Sequence, residues 1–166
     1  MLLGDLTIKD LVSDCMTAIT AIATITIAIY VARISRRQWL TNKEKLRLDL
    51  YEKRLDVYMR VLDFYQALLA WKQTEEQKQL QFPFIKAFRE SRFLFPEKSG
   101  VYDHLSEFHS HAFKIVNFHQ VAQFAATAPE EFLKYSLERD RSAGWILGSI
   151  GSLEEMLAPF LNFHDM

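Results

Sequence analysis

Glycine and proline, the two strongest interrupters of a helix, are both missing from Asp5 to Phe82. Either one very long helix or two abutting helices must fill that interval. Cysteine occurs once, as Cys15, which excludes an intramolecular disulfide framework and any cysteine-built zinc site. Strand-like alternation of apolar and polar residues is absent, so the fold class expected is all-α. Charge is balanced at a net -1. Without a broad basic face, no nucleic-acid partner is expected. Charge is also missing locally, from Cys15 as far as Ala32.

That last absence determines the location. The apolar stretch Cys15–Ile34 carries no charge before Arg33 and ends among Arg33, Arg36 and Arg37. About twenty such residues at 1.5 Å each match the roughly 30 Å hydrocarbon core of a bilayer. Inside that core each backbone group must be bonded within its own segment, so the segment is a helix. A cleaved signal peptide would begin with basic residues, whereas Asp5, Asp10 and Asp14 outnumber Lys9 here. A lipoprotein box is excluded because Asp14 precedes Cys15 and the apolar run follows it. Arg33, Arg36, Arg37, Lys43, Lys45 and Arg47 all lie beyond the span, which puts the C-terminal side in the cytoplasm and the N-terminus outside. Anionic headgroups would attract this cluster, and Tyr30 and Trp39 suit the interface. The expected organisation is an anchor over 1–40 and a cytoplasmic bundle of about four helices over 41–166.

Thr41-Asn-Lys-Glu44 reads as a capping box, so a second helix is expected to start there after a short hinge. Leu48, Tyr51, Leu55, Tyr58, Leu62, Tyr65 and Leu69 then recur at three and four residues. A second stripe runs beside them through Leu50, Val57, Val61, Phe64, Leu68 and Trp71. Two adjacent stripes make a face broader than a coiled-coil seam, the mark of a bundle helix. Gln73 to Gln81 is polar and reads as a connection. Pro83 suits the first turn of a helix to about Phe93, with Phe84, Ile85 and Phe88 inward and Pro96 ending it. A long helix is expected from Val101 to Phe124, carrying Val101, Leu105, Phe108, Ala112, Ile115, His119 and Ala122 on one face. Thr127-Ala-Pro-Glu130 is a second capping box, and Glu130 and Glu131 complement the helix dipole. Gly144, Gly148 and Gly151 then interrupt the chain, and Ser152 restarts a short helix before Pro159. Each of those glycines costs about 1 kcal/mol against alanine in a helix, which points to a close approach of two bundle helices.

The segment Lys45-Leu-Arg-Leu-Asp-Leu-Tyr-Glu-Lys-Arg-Leu-Asp-Val-Tyr58 resembles a widespread group of small bacterial membrane-anchored proteins without an assigned activity. Phe93-Leu-Phe95 and Leu157-Ala-Pro-Phe-Leu161 fit the same pattern. The resemblance implies a shared fold, a bacterial inner-membrane location and no catalytic residue. In architecture the chain also resembles the single-span accessory proteins encoded beside RNA-targeting CRISPR effectors, which are associated with membrane disruption in defence.

Within the span, Thr17, Thr20, Ala21, Thr24, Ala28 and Ala32 share one sector, and Ile19, Ile22, Ile25 and Ile29 the opposite one. Small residues let helices approach closely and threonine hydroxyls can bond across the contact. With one span per chain, the neighbour is another copy. Packing is the expectation, an aqueous lining the alternative, and bonding of each threonine to its own backbone needs neither. His104, Glu107 and His111 also share a helical side. One helix alone does not close a metal site, so a polar edge is expected and neither metal nor cofactor. His119 reads as a hydrogen-bonded core histidine. Since no arginine has a histidine four to six residues downstream, a HEPN ribonuclease survives only as a degenerate, RNA-binding form.

These readings together point away from enzymes. They suggest a self-associating effector or accessory that permeabilises a membrane, with a tethered scaffold for a cytosolic protein partner as the alternative.

Overall fold

The computed structural model of the chain describes residues 3–121, 125 and 128–162, with side chains from Ile8 onward except His119 and Gln120. Every regular element among them is helical. Helix α1 runs from Leu3 to Leu69 without a break. The start expected at Thr41 is therefore corrected. Its hydroxyl donates to the Arg37 carbonyl at 3.1 Å, one turn back, as a residue inside a helix does. A capping box starts a helix only where the preceding chain leaves helical geometry, and nothing before Thr41 makes it leave.

The chain divides into two compact units, one ending at Leu48 and the other beginning at Asp49. In the first, every described side chain from Ile8 to Leu48 is exposed. This unit is a single helix, long and apolar enough to cross a membrane.

The second unit begins with the last turns of α1. A left-handed residue, Gln73 at φ 60°, turns the chain out of that helix. Gln77 then closes the helix end: its Oε1 accepts from the Lys72 N–H at 2.7 Å and its Nε2 donates to the Ala70 carbonyl at 2.8 Å. Gln77 belongs to the short helix α2, Glu75–Gln79, which Thr74 caps. Helix α3 spans Gln81–Leu94 with Pro83 in its first turn, and its chain turns away before Pro96. A short 3-10 turn and Gly100, left-handed at φ 71°, lead into α4, Val101–Val121. Helix α5 is Pro129–Leu161, opened by Pro129 with Glu130 and Glu131 in its first turn. Ala122, Phe124 and Thr127 lie outside the described residues, as does the side chain of His119.

The most extensive packing between elements is of α4 on α5, with α3 laid on α4. Phe64 of α1 stacks on Phe84 of α3 at 4.7 Å between ring centres, and Phe84 lies 5.3 Å from Phe108 of α4. Leu105, Ile146, Leu153 and Leu157 complete the fully buried centre. Of the two stripes on α1, the second supplies this core: Val57, Val61, Phe64, Leu68 and Trp71 are buried. Tyr51, Leu55, Tyr58, Leu62 and Tyr65 are half-buried at its flank. Leu48 and Leu69 are exposed, at 47% and 54%, so placing them in the core is corrected. Their stripe lies beside the residues that α3 and α4 cover, so its two ends stay in solvent.

Two further expectations are corrected on α5. It passes through Gly144, Gly148, Gly151 and Pro159 without stopping, because the buried Ile146, Ser149, Leu153 and Leu157 hold its inner face in helical register. The close approach expected at the three glycines is also absent among the described residues. All three are exposed, and a Cβ built on any of them meets no atom within 4 Å.

Candidate functional site

The small-residue face is assembled on α1 as its spacing requires. Thr17, Thr20, Ala21, Thr24, Ala28 and Ala32 are all exposed. The threonine hydroxyls are already committed as donors. Thr17 donates to the Ser13 carbonyl at 2.9 Å, Thr20 to Met16 at 3.0 Å and Thr24 to Thr20 at 2.7 Å. Each hydroxyl thereby satisfies its own helix, and only its oxygen lone pairs remain for a neighbour. Tyr30, Arg33, Arg36, Arg37 and Trp39, the residues expected at a membrane interface, follow on the same helix and are all exposed. Lys43 lies over the Trp39 ring at 5.4 Å, an i, i+4 cation–π pair that keeps the aromatic beside positive charge.

A second constellation lies in the bundle, and the spacing of residues along the sequence did not reveal it. Arg54, inside the Lys45–Tyr58 segment, donates from Nε to the Leu94 carbonyl at 3.0 Å. Its guanidinium carbon lies 5.6 Å from the ring centre of Phe95 and 5.1 Å from that of Phe160. Those two rings meet edge to face at 5.6 Å. One turn further along α1, the Tyr58 hydroxyl donates to a Glu154 carboxylate oxygen at 2.6 Å. Three separated segments, Lys45–Tyr58, Phe93–Phe95 and Leu157–Leu161, thus converge on one arginine. Its chemistry is structural: a delocalised cation satisfies an orphan carbonyl at the end of α3 and stacks on aromatic faces. Burial lowers the pKa of Arg54. Tyr58 is pushed up to about 12 by its bond to Glu154, then by burial and by the carboxylate's charge.

The histidines of α4 form a third group. His104 Nε2 is 2.9 Å from the Ser149 carbonyl, and His111 Nδ1 is 3.1 Å from Ser142 Oγ. Both rings contact Trp145, His111 stacking on it at 4.6 Å. Ser142 gives its only proton to the Glu138 carbonyl at 2.8 Å. The imidazole must therefore donate to the serine oxygen, which is the reverse of a base activating a nucleophile. Glu107 shares the helix side but is exposed. No group of three metal-ligating side chains gathers among the described residues. His109, on another side of α4, lies among Phe84, Phe88 and Phe113. Burial chiefly lowers the pKa of His109, with Arg89 adding to it. His111 is lowered by burial and Lys114, against the charge of Glu107.

A groove of about 320 Å³ runs between the end of α1, α4 and α5, lined by Leu68, Trp71, Ile115, Arg139 and Leu147 among others. Trp71 Nε1 is buried with no hydrogen-bond partner among the described residues. The Arg139 guanidinium carbon lies 4.3 Å from the Phe118 ring centre, and the side chain also pairs with Asp140.

Compared with known proteins, the chain matches no protein-family model, no curated protein and no solved structure.

Proposed function

We propose that this chain is a non-enzymatic, single-pass protein of the bacterial inner membrane. Its N-terminus lies outside, and its helical bundle is cytoplasmic. Copies associate through the Thr17, Thr20, Ala21, Thr24, Ala28 and Ala32 face of the span. The assembly acts as an effector or accessory that permeabilises the membrane in defence.

One observation carries this reading. A continuous helix presents a charge-free apolar stretch, closed by arginines, and none of it is buried inside the protein. Apolar surface of that length needs lipid on most sides, and the small-residue sector is the side that favours another helix. The threonine-to-backbone bonds favour a second reading, a tethered scaffold that recruits a cytosolic protein. A helix whose hydroxyl donors are satisfied internally has no need of an aqueous lane.

Ion flux from liposomes carrying the purified protein separates the two. The wild type is expected to release a trapped ion, and Ala21→Leu with Ala28→Leu is expected to insert normally yet lose both association and flux. Association without flux at any protein density would leave the scaffold reading in its place.

A further inference from the structure

The outer face of α5 is left unused by the bundle. Leu133, Leu137 and Leu147 are 61%, 53% and 61% exposed, and Gly144, Gly148 and Gly151 are exposed among them. At 100° per residue these six fall within one sector of the helix. The leucines gain nothing from the fold in this position, and the glycines weaken the helix while admitting no neighbour from their own chain.

We infer that this face of α5 pairs with the same face of a second copy, antiparallel, about a two-fold axis at Gly144. Three features of the sequence select that occupant and that register. Gly144 is midway between Leu137 and Gly151, so the two backbones meet where neither has a side chain. Seven residues to either side, Leu137 of one copy lies over Gly151 of the other, placing a large side chain on an open backbone. Further out, Lys134 and Glu155 project to the same flank of the face and fall at nearly the same height from the axis, so each lysine faces the second copy's glutamate. Both residues are exposed and neither has an ion-pair partner in the chain among the described residues. A parallel pairing would instead set leucine on leucine and Lys134 on Lys134. The isologous two-fold contact follows, because a self-complementary patch closes on itself. This pairing is independent of the span contact proposed above.

The test uses the full chain in native membranes with Cys15→Ser as background. Gly144→Cys is expected to form a disulfide-linked dimer on mild oxidation, since close-packed glycines bring the two positions within disulfide reach. Co-expressed Lys134→Cys and Glu155→Cys chains are expected to cross-link with each other. Glu131→Cys, on the far side of α5, is expected to stay monomeric. Gly144→Gln with Gly151→Gln keeps misfolding from imitating loss of the interface. Glutamine fits the open space and favours a helix, so Tm should rise by about 2–8 °C for each glycine replaced. The cross-link between Lys134→Cys and Glu155→Cys should nevertheless disappear. It should persist when Ala21→Leu and Ala28→Leu break the span contact, which separates the two proposals.

The inference is overturned if Gly144→Cys gives no dimer, or if Glu131→Cys cross-links equally well. It fails also if the glutamine pair leaves the cross-link intact. Protection of Gly144→Cys from a water-soluble thiol reagent without any dimer would mean that a lipid surface, and not a second copy, covers the face.

Discussion

Arg54 takes part in three contacts that no other side chain could make together: one donated hydrogen bond and two aromatic faces. Lysine would carry the same charge as a compact, strongly hydrated ammonium without the planar fork. Arg54→Lys is therefore expected to destabilise the bundle nearly as much as Arg54→Ala, each lowering the urea midpoint. A lysine variant indistinguishable from the wild type would show that charge alone matters there. Phe64, 1% exposed in contact with Phe84 and Trp71, should cost about 3–5 kcal/mol on replacement by alanine. Leu48→Ala, at an exposed site of the same helix, should stay within about 0.5 kcal/mol. Chemical denaturation of both variants checks the pair. Equal losses would contradict the assignment of the core to the second stripe. Helical spacing identified both stripes, but only contact with α3 and α4 decided between them.

At the scale of elements, α4 meets α3 through His109 and α5 through His111, two rings whose neutral forms the fold favours. Both have a pKa below the ordinary 6.5. Their neutral forms are favoured in the fold, so the unfolded chain binds more protons as the pH falls below about 6.5. The stability they contribute is fully present above that value and is lost as acidity approaches their folded pKa. Trp145 fluorescence at intermediate denaturant should therefore report earlier unfolding at pH 5 than at pH 7, and His111→Gln should reduce the difference. An unchanged pH dependence in that variant would remove His111 from the linkage. Tyr58 acts in the opposite range. Its stabilising proton is held below pH 10 and given up as the pH rises toward about 12. The histidine spacing was visible along α4, but its partners, Ser142, Trp145 and Ser149, come from α5. No local pattern connects those residues.

For the whole molecule, the chain divides between Leu48 and Asp49 into an exposed helix and a packed bundle, and each carries its own test. The six basic residues from Arg33 to Arg47 predict that a reporter fused after Met166 is active in its cytoplasmic form and silent in its periplasmic form. The opposite result would reverse the orientation. Periodicity and composition by themselves determined the all-α class, the apolar helical stretch with its arginine boundary and the positions of α3 and α4. These depend on local propensity, on the absence of breakers and on the width of a bilayer, all of which can be read along a chain. The tertiary structure decided the rest. It alone carried α5 through its glycines, since the buried contacts of Ile146, Ser149 and Leu153 outweigh weak local stop signals, whereas α1 passes Thr41 in an exposed stretch because no breaker interrupts it. It alone gathered Arg54, Phe95 and Phe160 from distant segments, because contacts made only on folding leave no periodic trace in the sequence.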